Sequence, residues 1–333
     1  MRRLKAEWEK QKGVLVAFPH SRSDWAKNGS FKRALSTFVK LTQAIAYSQK
    51  VYILCENKEE LDGLFCTKNN LIFIEANYND TWTRDYGPIS IEENKKAKLL
   101  DFQFNGWGGK FDATLDNLVN KFLYKKGIFE DTSLESIDFI LEGGAIDCDG
   151  EGSLLTTKSV LLNKNRNPHM NQKEIEEFLS KKLGVDRFLW IENSYLAGDD
   201  TDGHIDMLAR FVSKDTIVYI STQDREDEHY YYFKELEKEL KLFKQRDGKA
   251  YNLIPLNIPE AKYKDNKRLP ASYINFLITN SSVILPTYNS PKDKEAINIF
   301  REIFKGYEII PLNALTLIEE GGSIHCSTMN LAF

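Results

Sequence analysis

The sequence predicts an α/β fold made of repeated modules arranged around one centre. Short apolar runs typical of buried strands alternate with longer stretches of helical period, and the order strand–strand–helix–strand recurs about five times in 333 residues. Residues 141–148 and 319–326 agree at five of eight positions and lie 178 residues apart, which indicates an internal repeat. No linker rich in Pro, Gly or Ser divides the chain. We therefore expect residues 1–333 to form a single domain.

The strands are predicted from short runs rich in Val, Ile and Phe. Three such runs near the N-terminus cover residues 13–18, 51–55 and 71–74. Two strand pairs follow later in the chain, 210–212 with 216–220 and 273–279 with 282–285. We expect the second pair to turn tightly at residues 280–281.

The helices are predicted from apolar residues spaced three and four apart. In the first helix this pattern begins at Phe31 and continues to Ile45, and Ser30 stands at the position of an N-cap. Asn171 and Glu174 form the cap-plus-three pattern that satisfies free N–H groups at a helix start. The other expected helices lie near 114–124, 171–183, 226–243 and 293–304. We expect the charged stretches 92–98 and 224–228 to be solvated loops or helix ends.

Composition excludes several classes of protein. Apolar residues make up 42% and charged residues 28% of the chain, and folding at this size buries about 75% of the extended surface, so stability requires no disulfide or metal. The net charge of −4 provides no basic field for a phosphate backbone, so we expect no nucleic-acid partner. No secretory signal and no apolar run of about 18 residues is present. We expect a cytoplasmic protein that does not enter a membrane.

Four short segments are dense in reactive groups: 82–85, 142–144, 200–206 and 321–326. In the third, His204 and Asp206 are two residues apart and would face the same side of a strand, which suits acid–base chemistry or metal binding. A calcium loop is not matched because residue 198 is Gly, and no zinc pattern is present. Metal-assisted hydrolysis by His204, Asp200 and Asp206 therefore remains an alternative, as does a plain turn with solvated acids.

Cys326 is the candidate nucleophile among the four cysteines. It follows a Gly-Gly turn and His325, although a small buried hydrophobic residue is the alternative interpretation. Cys148 holds the matching position in the repeat, where the carboxylate of Asp147 would raise the thiol pKa and argue against reactivity. We expect Cys55, mid-strand, and Cys66, in a short helical stretch, to be structural.

Asp85 and Glu142 have similar alternatives. Asp85 could form an ion pair with the neighbouring Arg84 that fixes a loop, and Glu142 could accept hydrogen bonds from loop N–H groups. Taken together, however, one thiol, one imidazole and several carboxylates suit a planar cation that sulfur attacks. Two carboxylates can hold a guanidinium bidentately, and the bound cation favours ionisation of a thiol. The sequence therefore indicates a cationic guanidino compound as the substrate.

Six segments in a fixed order carry a resemblance to a known family: 82–88, 104–109, 142–144, 163–169, 200–206 and 321–326. Together they resemble the agmatine deiminase branch of the guanidino-group-modifying (pentein) superfamily, which is related to bacterial-type peptidylarginine deiminases. The resemblance implies a five-bladed α/β propeller with pseudo-fivefold symmetry and the site at its centre. It also implies hydrolysis of agmatine to N-carbamoylputrescine and ammonia, a reaction of putrescine biosynthesis, without a metal or organic cofactor.

The resemblance also implies a role for each site residue. Cys326 would be the nucleophile, His204 the acid–base, and Glu142 would orient or charge-stabilise His204. The remaining positions would bind substrate: Asp85 and Asp206 grip the guanidinium, Asp200 contacts the substrate, and Trp82 walls the pocket.

Two departures from the family pattern concern the tail of the substrate. Residue 320 is Glu where relatives often have Gly, and the segment after residue 109 is short. Deimination of free or peptidyl arginine is therefore an alternative, and a non-catalytic polyamine- or guanidine-binding protein is an alternative of a different class. A homodimer is the expected assembly, because symmetric homo-oligomers are common.

Overall fold

The computed structural model describes residues 1–332, in which five sheets repeat one topology. In each sheet an antiparallel strand pairs with a central strand, and a helix then leads to a parallel strand on the other side. Two of the sheets carry a fourth strand, and a two-stranded hairpin lies outside the pattern. The five-bladed, pseudo-fivefold arrangement of these sheets stays a prediction.

Each strand is hydrogen-bonded to its neighbours in a defined order across its sheet. From one edge to the other, the sheets consist of Arg2–Leu4, Ile89–Glu93, Lys96–Gln103 and Ser133–Ile140; Arg187–Ile191, Ser153–Thr157 and Ile146–Cys148; Ala209–Ser213, Thr216–Ser221 and Asn252–Asn257; Leu277–Ile278, Ser282–Thr287 and Glu308–Asn313; Met329–Leu331, Gly13–Ala17, Lys50–Cys55 and Leu71–Glu75; and the hairpin Tyr263–Lys264 with Lys267–Arg268.

Five longer helices connect the central strand of each sheet to its parallel neighbour, and they confirm the five predicted helices. They are Phe31–Ala46, Asp116–Lys125, Gln172–Leu183, Tyr230–Leu242 and Asp293–Ile303. The shorter α-helices are Asp24–Lys27, Lys58–Asp62, Thr83–Tyr86, Gly106–Gly109, Lys158–Leu161 and Leu315–Ile318, and the 3-10 turns are Gly143–Ala145 and Ile205–Met207. No helix in the described part of the chain is long and apolar enough to cross a bilayer.

The core lies between the sheets and the helices that cover them. Every residue of the strands Gly13–Ala17 and Ser153–Thr157 is buried, as expected for strands packed on both faces. The last strand, Met329–Leu331, pairs antiparallel with the second strand, Gly13–Ala17, so segments from the beginning and the end of the chain lie side by side. Residues from the N-terminal segment and from the C-terminal loop can therefore contact one another.

Capping confirms one predicted helix start and corrects another. The Asn171 side chain accepts from Glu174 N at 3.2 Å, and the Glu174 carboxylate accepts from Asn171 N at 2.8 Å, as predicted. The prediction for Ser30 was wrong, because its hydroxyl donates instead to Trp25 O in the preceding turn.

Four further predictions of local structure were wrong. The stretch 92–98, expected to be a loop or a helix end, forms the hairpin between the strands Ile89–Glu93 and Lys96–Gln103. The strand predicted over 273–279 is reduced to Leu277–Ile278, because residues 273–276 form turns that lead into the site. Cys66 lies in an exposed bend beyond the helix Lys58–Asp62 rather than within a helix. His204 and Asp206 do not lie on a strand, since Ile205–Met207 is a 3-10 turn.

The repeated topology places one candidate side chain in each sheet at a comparable position. Asp85, Glu142, Asp206, Asn275 and Cys326 each stand within four residues before the first, antiparallel strand of a different sheet. Four of these positions were singled out from the sequence, and the fold adds the fifth.

Candidate active site

A cavity of about 330 Å³ lies where these segments converge. Its wall includes Cys326, Asp85 and Asp200 together with the indole rings of Trp82 and Trp107. His204, Asp206 and Glu142 are almost fully buried and do not line it. The structure therefore brings a thiol, carboxylates and aromatic faces to one cavity.

Gly144 is the point at which three candidate side chains meet. A Cβ atom placed on this glycine would lie 2.7 Å from His204 Nδ1, 2.9 Å from Asp85 Oδ1 and 3.1 Å from Asp206 Oδ2. These distances are shorter than ordinary contacts, so only a residue without a side chain allows the three groups to approach one another at this point. The close approach explains why the segment 142–144 needs glycine.

The thiol of Cys326 is buried beside two carboxylates. It donates to Asp206 Oδ2 at 3.8 Å, and its sulfur accepts from Asn275 Nδ2 at 3.2 Å. Burial, followed by the charges of Asp206 and Asp85, raises the pKa of Cys326 well above its ordinary value. The thiol is therefore protonated at neutral pH.

Asn275 holds the loop that carries Cys326. Its side-chain oxygen accepts from His325 N at 2.9 Å and from Cys326 N at 3.2 Å, while its amide donates to the sulfur. No motif in the sequence marks this residue, and reasoning from motifs missed it. The signal that could have found it is a single buried amide within the apolar run 273–278 at the position equivalent to Asp85 and Cys326.

His204 and Asp206 are brought together with Asp85, but neither ring nitrogen of His204 has a hydrogen-bond partner. Its Nδ1 lies 3.7 Å from Asp85 Oδ1. Burial lowers the pKa of His204 to about 3, although Asp206 opposes the change. The imidazole is therefore neutral in the empty site, and both ring nitrogens are free of hydrogen bonds.

Asp206 presents two different oxygens. Oδ2 contacts His325 Nδ1 at 2.7 Å, whereas Oδ1 is buried without a partner. Burial would raise the pKa of Asp206, but the hydrogen bond and charge of His325 outweigh it and bring the pKa below its ordinary value. Oδ1 is thus the oxygen of Asp206 that has no hydrogen-bond partner.

Asp85 does not pair with Arg84, so that interpretation of the sequence was wrong. It accepts from Trp107 Nε1 at 2.9 Å and from Gly144 N at 3.0 Å. Burial, then the charges of Asp206 and Glu142, raises the pKa of Asp85 well above its ordinary value. Like the thiol of Cys326, this carboxyl group has a raised pKa because it is buried next to other acids.

Trp107 reaches Asp85 from an unusual backbone. It has φ of 56°, in a run where Gly106, Gly108 and Gly109 also have positive φ. Such a conformation is costly for a residue with a Cβ atom and is typical of functional sites. The sequence analysis places Trp107 in one of the six family segments but assigns no role to it.

Glu142 is bound by Arg166 rather than by His204. Arg166 Nε donates to both carboxylate oxygens, at 2.8 and 3.0 Å, and no hydrogen bond joins Glu142 to His204. Burial raises the pKa of Glu142, and Arg166 opposes the change. Glu142 therefore forms no hydrogen bond that would orient His204 directly.

Trp82 and Asp200 line the wall of the cavity. The ring of Trp82 packs against Gly322 and lies 5.7 Å from the ring of Trp25. Asp200 lies opposite Gly321, and burial together with Asp199 raises its pKa to about 6. Lys110 donates to Asp200 O and to Asp202 at 2.8 Å, which ties the segment after Trp107 to this side of the cavity.

A metal centre finds no support at this site. Among the described residues, no group of three or more His, Cys, Asp or Glu side chains is arranged to hold a metal ion. The alternative of metal-assisted hydrolysis by His204, Asp200 and Asp206 therefore has no ligand set.

The fold is shared with enzymes of distant sequence. A dimethylarginine dimethylaminohydrolase structure superposes with a TM-score of 0.55 at 13% identity over 96% of this chain and 100% of the other, which shows the fold alone. Agmatine deiminases are much nearer. A C. jejuni variant with substrate bound gives a TM-score of 0.94 at 37% identity, covering 100% and 97% of the two chains. Fold and site together define an α/β enzyme of the guanidino-group-modifying superfamily.

The family follows from the sequence comparison. The chain matches the model of the Porphyromonas-type peptidyl-arginine deiminase family over residues 3–331, and it belongs to that family. It is also 32% identical to the agmatine deiminase of Pseudomonas aeruginosa over 357 aligned positions, covering 98% of this chain and 94% of the relative. The agmatine deiminase of Enterococcus faecalis superposes with a TM-score of 0.91 at 26% identity, over 99% and 95% of the chains. These findings confirm the resemblance drawn from the six segments.

Proposed function

We propose that this protein hydrolyses the guanidinium group of agmatine to N-carbamoylputrescine and ammonia through a covalent intermediate on Cys326. The observation that carries the proposal is a buried thiol beside Asp85 and Asp206, neither of which forms an ion pair with Lys or Arg in residues 1–332. Buried carboxylates without a cationic partner are costly, and a guanidinium would supply the missing charge. Residues 1–333 would act as one catalytic domain.

The mouth of the cavity favours a substrate with a second positive charge. The acids on its wall outnumber the bases, which are Lys267 and Arg268; the acids are Asp24, Asp80, Asp85, Asp199, Asp200, Glu319 and Glu320. Arg268 is already bound by Asp227 at 2.6 Å. Agmatine carries an ammonium on its tail, whereas the carboxylate of free arginine would face these acids. Three of these acids are already paired with bases that do not line the cavity: Asp24 with Lys27, Glu319 with Arg33 and Glu320 with Lys264. The preference therefore rests on the remaining acids.

Substrate binding activates the nucleophile. The guanidinium would lie between Asp85 and Asp206 and would lower the pKa values that burial and like charges raise in the empty site. His204, neutral in the empty site, accepts the proton of the Cys326 thiol. The proton thus moves within the site, and the sulfur becomes a thiolate next to the guanidino carbon.

The first half of the reaction releases ammonia. The thiolate forms a bond to the guanidino carbon, and the imidazolium of His204 donates its proton to one amino group. The C–N bond to that group then breaks, and ammonia leaves. A cationic amidino-thioether remains on Cys326, held by Asp85 and Asp206.

The second half releases the ureido product. Neutral His204 takes a proton from water while the water oxygen bonds to the amidino carbon. The C–S bond breaks, and the sulfur leaves as a thiolate that takes back the proton held by His204. The hydroxyl proton of the product passes to solvent as the C=O bond forms. Trp82 and Asp200 hold the substrate from the cavity wall. Glu142, bound to Arg166, contributes charge to the site rather than a hydrogen bond to His204.

The test is a product assay with three substrates. Agmatine, free arginine and an arginine-containing peptide are incubated with the purified protein, and ammonia and ureido product are measured. We expect turnover of agmatine and little reaction of the other two. If only the peptide reacts, the substrate assignment is wrong although deimination stands.

The same assay separates catalysis from binding. An adduct of amidino mass on Cys326 in mass spectrometry would exclude a non-catalytic polyamine-binding protein. Full turnover by Cys326→Ala would disprove the covalent mechanism. Loss of activity on addition of a chelator would support metal-assisted hydrolysis instead.

A further inference from the structure

His325, the neighbour of the candidate nucleophile, contacts two carboxylates at once. Its Nδ1 lies 2.7 Å from Asp206 Oδ2 and its Nε2 lies 2.7 Å from Glu7 Oε2. The ring is buried, and its backbone N–H is fixed by Asn275 at 2.9 Å. No step of the proposed reaction uses either His325 or Glu7, yet the contacts connect them to a substrate-binding carboxylate.

Glu7 reaches this point from the N-terminal segment and is anchored there. Its carboxylate accepts from Arg210 at 2.7 Å and from Ile278 N at 2.7 Å, and Arg84 lies 3.7 Å away. Burial would raise the pKa of Glu7, but Arg210, His325 and Arg84 outweigh it and hold the pKa far below its ordinary value. Glu7 is therefore an ionised acceptor, and the ring nitrogen that faces it, Nε2, must carry a proton.

The tautomer of His325 follows from this contact. With a proton on Nε2, the 2.7 Å contact of Nδ1 with Asp206 Oδ2 is a hydrogen bond only if one further proton lies between the two atoms. Burial and the charges of Arg210 and Arg84 lower the pKa of His325, so this proton is shared between Nδ1 and Oδ2 rather than fixed on the ring. In either place it occupies Oδ2 on the side of His325, and the Cys326 thiol also donates to Oδ2 at 3.8 Å. Oδ1 is buried and has no protein partner.

We propose that Glu7 and His325 are positioning residues that fix the Asp206 carboxylate, occupying Oδ2 with a shared proton so that Oδ1 faces the guanidinium. The inference rests on the proposed function, since it names the oxygen that the substrate uses. It also gives the N-terminal segment a role at the site, because Glu7 is 318 residues from His325 in sequence. Interactions behind the groups that contact a ligand commonly change activity by about 10- to 100-fold.

The first test compares two substitutions of His325 of similar size. His325→Gln keeps an amide donor for Asp206, whereas His325→Leu fills the space without a donor. We expect kcat/KM for agmatine to fall by about 100-fold in His325→Leu and by less than about 10-fold in His325→Gln. Equal activity of the two variants would show that the ring only fills space and would overturn the proposal.

The second test removes the charge of Glu7. Glu7→Gln and Asp147→Asn each remove one carboxyl group that interacts with Arg210, but only Glu7 contacts His325. Burial raises the pKa of Asp147 to about 7, so the comparison is made at pH 8, where both groups are charged. We expect Glu7→Gln to lower kcat/KM by about 10-fold and Asp147→Asn to leave it within about twofold. A similar loss in both variants would assign the effect to Arg210 and contradict the proposal.

A spectroscopic measurement is independent of activity. In ¹⁵N NMR of the imidazole groups, the His325 signal is the one absent from His325→Gln. We expect a protonated Nε2 in the wild-type protein and loss of that preference in Glu7→Gln. An unprotonated Nε2 would overturn the proposal. A protonated Nε2 in a protein that turns over no guanidino compound would instead overturn the proposed function and leave the tautomer assignment standing.

Discussion

Arg166 Nε lies 2.8 Å from Glu142 Oε1, and both side chains are completely shielded from solvent. The same guanidinium donates to Asp202 Oδ2 at 2.8 Å and to Thr201 O at 3.0 Å. Arg166 therefore joins the segment that carries Glu142 to the loop that precedes His204. A buried pair of this kind fixes the relative position of two segments, whatever its net contribution to stability.

Removing only the positive partner should be costly. In Arg166→Met, Glu142 becomes a buried carboxylate without a partner, and we expect the free energy of unfolding to fall by about 3–5 kcal/mol. Glu142→Gln/Arg166→Met removes both charges and should be more stable than Arg166→Met. Urea unfolding of the three proteins checks this. A double variant no more stable than Arg166→Met would show that the ion pair is not the source of the loss.

Gly144 should be far more sensitive to an added methyl group than its backbone suggests. Its φ is not in the left-handed region, but a Cβ would lie 2.7 Å from His204 Nδ1 and 2.9 Å from Asp85 Oδ1. In Gly144→Ala we expect at least about a 100-fold loss of kcat/KM, since small displacements of reacting groups are costly. The loss of stability should stay near 1–3 kcal/mol, about the usual range for overpacking.

Gly63→Ala is the matched control. A Cβ at Gly63 meets nothing within 4 Å, and its φ of −73° suits alanine. Activity and thermal unfolding should both match the wild type. If Gly144→Ala also kept full activity, the convergence of His204, Asp85 and Asp206 at this glycine would not be the catalytic arrangement.

The four cysteines should differ in how fast iodoacetamide labels them, because they differ in exposure to solvent. Cys66 is exposed, whereas Cys55, Cys148 and Cys326 are buried. We expect iodoacetamide to label Cys66 first without loss of activity, and Cys66→Ser to retain wild-type kcat. Cys326→Ser should lower kcat by at least about 1,000-fold, because it removes the nucleophile. Peptide mapping of the labelled protein and initial rates check both expectations. Loss of activity in step with Cys66 labelling would contradict them.

The sequence predicted the elements well because their patterns are local. Helical spacing located all five crossover helices, and the cap pattern at Asn171 is present in the structure. Errors arose where tertiary contacts decide the local structure. Residues 273–276 have an apolar pattern typical of a strand, but the buried amide of Asn275 holds the Cys326 loop, and the chain turns there instead.

The sequence analysis identified several residues of the candidate site but not which of them contact one another. Motifs identified Cys326, His204, Asp85 and Asp206, since reactive residue types are visible in a sequence. The partner of Glu142 is 24 residues away and the partner of His325 is 318 residues away, and no spacing rule connects such positions. Only the fold, which pairs Met329–Leu331 with Gly13–Ala17, places Glu7 behind the site.

Asp200 should give substrate binding a pH dependence near neutrality. Burial and the neighbouring Asp199 raise the pKa of Asp200 to about 6. Below that pH the carboxyl group is neutral, and above it the group is charged and attracts a cation. The KM for agmatine should therefore fall as the pH rises from 5 to 7, by about 10-fold for one partly shielded charge pair.

Asp200→Asn should remove this change and keep the KM at its high, acidic value across the range. Asp202→Asn is the control, because Asp202 is an adjacent acid with the opposite shift. Partial burial alone would raise its pKa, but hydrogen bonds from Lys110 and Arg166 hold the pKa below its ordinary value, so it does not titrate near pH 6. Initial rates are measured at five pH values between 5 and 7. The KM should fall with rising pH in the wild type and in Asp202→Asn, but not in Asp200→Asn. A fall that persists in Asp200→Asn would assign the titration to another group, with Asp85, whose pKa burial raises well above its ordinary value, as the next to test.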